Sequence, residues 1–242
     1  MRLMDRLQRW LSRIWSAEAW PFIPIFVVAG LILIFGFIAD EVTEGATLAF
    51  DNYLLSAFRS SANNFSSPIG PVWVQEMARD ITSLGSFTVL GLLLSAVIGY
   101  LLLSRKSTSA LLVLVAVLGG VALNSLLKFE FARSRPDLFI PAARVFTASF
   151  PSGHAALSAI TYMTLAALLS RTIQSRLLRH YFVGVAVTLT FLIGLSRVYL
   201  GVHYPTDVLA GWTIGSAWAL GSWTIMTRLQ SQGVVERPES SN

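Results

Sequence analysis

Cysteine is absent from this 242-residue chain, and charged residues make up only 13% of it. Without cysteine the chain cannot form a disulfide, a thiolate nucleophile or a cysteine-ligated metal site. Soluble globular domains carry about 25% charged residues. The scarcity of charge, together with 54% hydrophobic residues, therefore indicates an integral membrane protein.

Motifs of nucleotide and nucleic-acid binding are also missing. The chain has no glycine-rich nucleotide loop and no basic tract with interleaved aromatic residues. Its net charge of +5 is better explained by topology, because Lys and Arg accumulate on the cytoplasmic side of membrane proteins. We therefore predict that the chain lies in the membrane bilayer and binds no nucleic acid.

Six apolar stretches have about the length that crosses a bilayer, since about 20 helical residues span a hydrocarbon core of ~30 Å. They cover residues 21–39, 85–103, 109–127, 154–170, 180–196 and 205–227. The predicted fold class is all-α, with a six-transmembrane-helix bundle over residues 21–227. A polar C-terminal tail follows at 228–242.

Two further segments have a helical pattern outside these spans. Residues 1–20 place four Arg residues on one helical face, which predicts either a short interfacial helix or a plain basic tail. The first outer loop, 40–84, has apolar residues at helical spacing on both sides of a Pro68–Pro71 turn. We expect two short interfacial helices there, which would cover the site, shape lipid entry or simply pack against the bundle.

The distribution of basic residues predicts the topology. If both termini are cytoplasmic, 11 of the 18 Lys and Arg residues lie in inner segments. Lys128 then ends the third span, Ser152 opens the fourth and Arg197 ends the fifth, all at the outer face. The motif region 128–207 is therefore expected to converge at one membrane depth, on the periplasmic or extracellular side of a bacterial plasma membrane.

The cations of this region suit a phosphate group. Arg135 and Arg197 offer planar, bidentate donors, and Lys128 offers a point charge. Residues 151–154 read Pro-Ser-Gly-His at the start of a span, where free backbone N–H groups and the helix dipole attract an anion.

Two histidines of the region can divide the chemistry of phosphoryl transfer. Asp207 follows His203 by four positions, so its carboxylate can hold one ring nitrogen while the other attacks phosphorus. His154 can protonate the leaving oxygen and then activate water.

These pieces, taken in order, resemble the three-part signature of the type 2 phosphatidic-acid phosphatase family, over about residues 109–227. The pieces are Lys128-x6-Arg135-Pro136, Pro151-Ser152-Gly153-His154 and Ser196-Arg197-x5-His203-x3-Asp207. The resemblance implies an enzyme with no metal and no other cofactor. The catalytic residues it implies are His203 as nucleophile, Asp207 as its partner and His154 as acid/base. The phosphate-binding residues it implies are Lys128, Arg135, Ser152, Gly153 and Arg197.

The predicted function is a lipid phosphatase of the outer membrane face that works through a phosphohistidine. Undecaprenyl pyrophosphate, phosphatidylglycerophosphate, phosphatidic acid and lipid A phosphates are the substrates that the resemblance suggests. A vanadium haloperoxidase, which shares the signature, and a transporter are the alternatives. Four more charged residues of the motif loop are expected to contact a head group or to pair with each other or with water: Glu130, Arg133, Asp137 and Arg144.

Overall fold

The computed structural model describes residues 22–60, 67–136 and 147–232, and these residues form eight α-helices without a β-strand. The helices are α1 Ile23–Thr43, α2 Leu48–Ala57, α3 Val72–Ser83, α4 Phe87–Leu103, α5 Ser107–Phe131, α6 Gly153–Thr172, α7 Arg176–Tyr199 and α8 Pro205–Ser231. The all-α prediction is confirmed for this part of the chain.

Each of the six predicted spans is a helix, with ends within four residues of the predicted ones. By length and composition, however, only α1, α5, α6 and α7 qualify as spans. A fifth is added if α3 and α4, which meet at a 44° bend, form one broken span. With 17 residues α4 is only about 26 Å long, and α8 is rich in Gly, Ser and Thr. Length and hydropathy alone therefore do not establish the predicted count of six.

The two short helices predicted in the first outer loop are present as α2 and α3, on either side of the Pro68–Pro71 turn. The predicted N-terminal helix, 1–20, lies outside the described residues. Helix α8 continues to Ser231, and residues 233–242 of the predicted tail also lie outside the described part.

Small residues allow α6 and α8 to pack closely. A Cβ atom added at Gly211 would lie 2.7 Å from the Ser152 carbonyl oxygen, and one at Gly215 would lie 2.5 Å from that of Ala156. Such close approach of two helix backbones is typical of Gly-x3-Gly spacing in membrane helices. It brings together the N-terminal ends of both helices, where the Ser152 N–H donates to the Asp207 carbonyl oxygen at 2.9 Å.

Candidate active site

The predicted site residues lie at helix ends that meet at one end of the bundle. Lys128 is in the last turn of α5, Ser152 is the N-cap of α6, Arg197 is in the last turn of α7 and Asp207 is in the first turn of α8. His203 lies in the turn between α7 and α8, and Arg135 follows α5. Residues up to 79 positions apart (128 to 207) thus share one region.

His203 is held between a carboxylate and a guanidinium. Its Nδ1 lies 3.4 Å from Asp207 Oδ2, and its Nε2 lies 3.1 Å from Arg135 Nη1. A carboxylate only accepts hydrogen bonds and a guanidinium only donates them. These partners therefore assign the proton to Nδ1 and the lone pair to Nε2.

The Asp207 carboxylate is itself fixed in place. Its Oδ2 accepts from the Tyr204 backbone N–H at 2.9 Å and from the Ser149 hydroxyl. Both Asp207 and His203 are almost completely buried. Burial lowers the pKa of His203 to about 3, although Asp207 opposes the shift. The imidazole is therefore neutral at physiological pH, which is the form that a nucleophile requires.

Backbone carbonyls and one threonine orient the three predicted phosphate-binding cations. Lys128 Nζ donates to the Ala148 carbonyl at 2.5 Å, and Arg135 Nη1 donates to that of Val202 at 2.6 Å. Arg197 Nη1 donates to Thr82 Oγ1 of α3 at 3.0 Å. Each side chain thus keeps its charge in a fixed place.

These cations form one cluster, in which the like charges repel each other. Lys128 lies close enough to interact with both Arg135 and Arg197. Two buried polar atoms at the cluster, Ser152 Oγ and Arg197 Nε, have no hydrogen-bond partner among the described residues. A Cβ atom at Gly153 would lie 3.5 Å from Lys128 Cε, so the start of α6 adjoins the cluster. Together these donors can accommodate the oxygens of one phosphate group.

His154 lies in the same electrostatic environment. It interacts with Arg197, His203, Arg135 and Lys128. Its ring lies beside the turn between α3 and α4, because a Cβ atom at Gly85 would lie 3.3 Å from its Cδ2. Within the described part of the chain, no hydrogen bond occupies either of its ring nitrogens.

Arg133 and Asp51 belong to this site, although the sequence pattern did not identify their contacts. Arg133 Nη1 donates to Asp207 Oδ1 at 2.7 Å, and its Nη2 donates to Asp51 Oδ2 at 2.8 Å. The guanidinium also stacks on the Tyr204 ring at 4.2 Å. Burial alone would lower the pKa of Arg133, but the two carboxylates outweigh it and raise that pKa.

Asp51 links the 40–84 loop to the start of α8. The fully buried Asp51 carboxylate accepts from the Thr206 N–H at 3.0 Å and from the Thr206 hydroxyl at 2.7 Å. A charged residue within the apolar helix α2 is the one sequence signal that could have indicated it. With Thr82, Asp51 shows that the 40–84 loop contacts residues of the site.

Of the four charged residues of the motif loop, Arg133 pairs with Asp51 and Asp207. Contacts of the four with a head group, with each other or with water stay a prediction. Glu130 is exposed at the end of α5. Asp137 and Arg144 lie outside the described residues.

Comparison with known proteins identifies the class. Residues 109–231 match the model of the PAP2 superfamily. Phosphatidylglycerophosphatase B of Bacillus subtilis (strain 168) is 35% identical over 145 residues, which cover 59% of this chain and 70% of the relative. Lipid A 1-phosphatase of Rhizobium johnstonii is 28% identical over 191 residues, which cover 68% and 74%.

A solved structure extends the similarity to most of the fold. The crystal structure of a transmembrane PAP2-type phosphatidylglycerolphosphate phosphatase from Bacillus subtilis matches with a TM-score of 0.75 at 28% identity. The match covers 86% of this chain and 98% of that one.

The chain belongs to the PAP2 superfamily, because the family model matches half of its length. Its relatives are named as phosphatases, so the chain is a phosphoric ester hydrolase. With its apolar helices, it is an integral membrane phosphatase.

Proposed function

We propose that this enzyme hydrolyses a phosphomonoester or pyrophosphate of a lipid at the outer membrane face through a phosphohistidine on His203. The observation that carries the proposal is the cluster of three cations around a neutral, carboxylate-backed imidazole. In this arrangement the cations neutralise the phosphate oxygens while the unprotonated Nε2 attacks phosphorus.

In the first step His203 Nε2 forms a bond to phosphorus as the bond to the leaving oxygen breaks. His154 enters this step protonated and gives its proton to that oxygen. The negative charge of the bound phosphate favours the protonated His154 among the surrounding cations. Asp207 stabilises the positive charge that develops on His203.

In the second step water attacks the phosphohistidine. His154, now neutral, takes a proton from the water, and the bond between phosphorus and Nε2 breaks. Inorganic phosphate leaves, which derives from the terminal phosphate if the substrate is a pyrophosphate, and His203 returns to its neutral form. Arg133 and Asp51 act as positioning residues in both steps, because their contacts hold the Asp207 carboxylate against the ring.

The proposed topology has six spans, both termini in the cytoplasm and the site on the periplasmic or extracellular side of a bacterial plasma membrane. The excess of Lys and Arg in the inner segments supports this orientation, and a bacterial relative supports a bacterial membrane. Helices α4 and α8 would then be the second and sixth spans.

The substrate is proposed from the names of the relatives. Phosphatidylglycerophosphate and lipid A 1-phosphate come from the two relatives described above. Undecaprenyl diphosphate comes from a third relative, the undecaprenyl-diphosphatase of Sulfolobus acidocaldarius. That relative is 26% identical over 146 residues, which cover 57% of this chain and 64% of the relative. Phosphatidic acid completes the set because the signature resembles that of phosphatidic-acid phosphatases.

The test is phosphate release by purified protein from these four lipids in detergent micelles, with His203→Ala as the blank. We expect one or more of them to be hydrolysed by the wild-type protein alone. Release from none of them would contradict a lipid phosphatase. Bromide oxidation after vanadate is added would instead favour the haloperoxidase alternative.

A further inference from the structure

A polar cavity lies at the end of α6 opposite the candidate active site. It has a volume of about 470 Å³ and is lined by Ala167, Ser170, Arg171, Arg179, Trp223 and Gln230. Arg171 follows His154 by 17 positions on the same helix, a distance of roughly 26 Å along the helix axis. The cavity is therefore separate from the phosphate-binding cluster.

Positive side chains line the cavity. Among the described residues, Arg171 and Arg179 line it and no Asp or Glu does. The salt bridges among the described residues all involve Asp51 or Asp207, at the other end of the bundle. Two like charges that share a cavity repel each other, so an anion between them is favourable.

Two buried donors in this cavity have no acceptor in the described part of the chain. Ser170 Oγ and Arg171 Nη1 have no hydrogen-bond partner among the described residues. An unsatisfied buried donor is costly, and more so when it is charged. Arg179 differs, because its Nε and Nη2 already donate to the carbonyls of Ile173 and Gln174. Ser170 and Arg171 are thus the donors that an anionic oxygen would satisfy.

An apolar groove continues from the cavity into the membrane region. The groove has a volume of about 660 Å³, runs between α1, α5, α6 and α8, and shares Ala167 and Trp223 with the polar cavity. Its lining is almost entirely apolar, with residues such as Ile32, Leu112 and Met226. A ligand that fills both spaces must have an anionic head and long apolar chains.

We propose that this composite site binds an anionic phospholipid from the leaflet opposite the active site. Arg171 Nη1 and Ser170 Oγ donate to the phosphodiester oxygens, and the acyl chains occupy the groove. In the proposed topology this is the cytoplasmic leaflet. The lipid would join α6 to α8, the helices whose other ends form the candidate active site.

The test measures lipid binding to the full-length purified protein by native mass spectrometry and by the thermal midpoint. Phosphatidylglycerol is compared with phosphatidylcholine of identical acyl chains. We expect phosphatidylglycerol to bind more tightly and to raise the midpoint. Arg171→Gln should weaken that binding by roughly tenfold, because it removes a charge-assisted hydrogen bond.

The matched control is Arg105→Gln, which removes the same charge from the exposed turn between α4 and α5. It should retain the phosphatidylglycerol effect. An equal loss in both variants would overturn the proposal in favour of diffuse surface charge. Glu236→Gln combined with Glu239→Gln should leave lipid binding unchanged. Binding that occurs only in this double variant would show that the C-terminal tail fills the cavity, and would overturn the proposal as well.

Discussion

The guanidinium of Arg133 joins Asp207 to Asp51, at 2.7 Å from one carboxylate and 2.8 Å from the other. Asp207 contacts the candidate nucleophile on its other side. A residue of the 40–84 loop is thus connected to His203 through two intermediate side chains. The ion pairs are buried, so little solvent screening weakens them.

Substitution of Asp51 should therefore lower the rate of the chemical step more than it weakens substrate binding. Asp51→Asn leaves Arg133 unbalanced beside Asp207, which then supports the positive charge on His203 less well. We expect kcat to fall by roughly tenfold, equivalent to about 1.4 kcal/mol, with KM little changed. Steady-state kinetics of Asp51→Asn against Asp80→Asn, an exposed carboxylate of the same loop, measures the effect.

A double-mutant cycle separates positioning from general destabilisation. If Asp51 acts through Asp207, Asp51→Asn should have little further effect in an Asp207→Asn background. Arg133→Lys, which keeps the charge but loses the forked geometry, should behave like Asp51→Asn. Fully additive losses would assign Asp51 a merely structural role.

Activity should persist in a metal chelator, because Lys128, Arg135 and Arg197 are assigned the neutralisation of the phosphate. We expect unchanged phosphate release in EDTA. Orthovanadate should inhibit, since it can mimic five-coordinate phosphorus. Loss of turnover in EDTA that magnesium or zinc restores would rule out the proposed mechanism.

Label accessibility in sealed vesicles tests the orientation, and the absence of native cysteine makes single substitutions unambiguous. Glu130→Cys, beside Lys128 and exposed, should react with an impermeant thiol reagent from outside. Arg176→Cys, at the start of α7 and exposed, should react only after the vesicles are opened. The reverse pattern would invert the topology while leaving the site intact.

Acid should destabilise the protein partly through His203. Because burial lowers the pKa of His203 to about 3, the folded state binds fewer protons than the unfolded state between pH 3 and about 6.5. The stability that this group contributes is thus present above pH 6.5 and is lost as the pH falls. The thermal midpoint should drop less between pH 7 and 5 in His203→Gln than in the wild-type protein; equal drops would contradict a buried, neutral His203.

The sequence predicts that these residues come together where they lie at helix ends. Lys128, Arg197 and Asp207 end or begin long apolar stretches, and alternation of the helices places such ends on one face. The role of Asp51 was not predictable in this way, because its contact with Arg133 bridges 82 positions and depends on how α2 packs. The count of six spans is not confirmed for a related reason, because Gly211 and Gly215, which lower the hydropathy of α8, also let it approach α6.

Substitution of each of the two histidines should block a different step of the reaction. His203→Ala removes the proposed nucleophile, so turnover should fall to background. His154→Ala retains the nucleophile but loses the acid/base, which typically contributes about 10²–10⁴-fold to the rate. The loss in the first step should be smaller for an aryl phosphate, whose leaving group departs without protonation, than for an alkyl phosphate.

Trapping of the phosphoenzyme tests the central claim most directly. With a ³²P-labelled aryl phosphate, His154→Ala should accumulate an acid-labile phosphohistidine, because water attack lacks its base. The label should be absent from His203→Ala and from the double variant. Label that accumulates in His203→Ala and is missing from His154→Ala would contradict the assignment of His203 as the nucleophile.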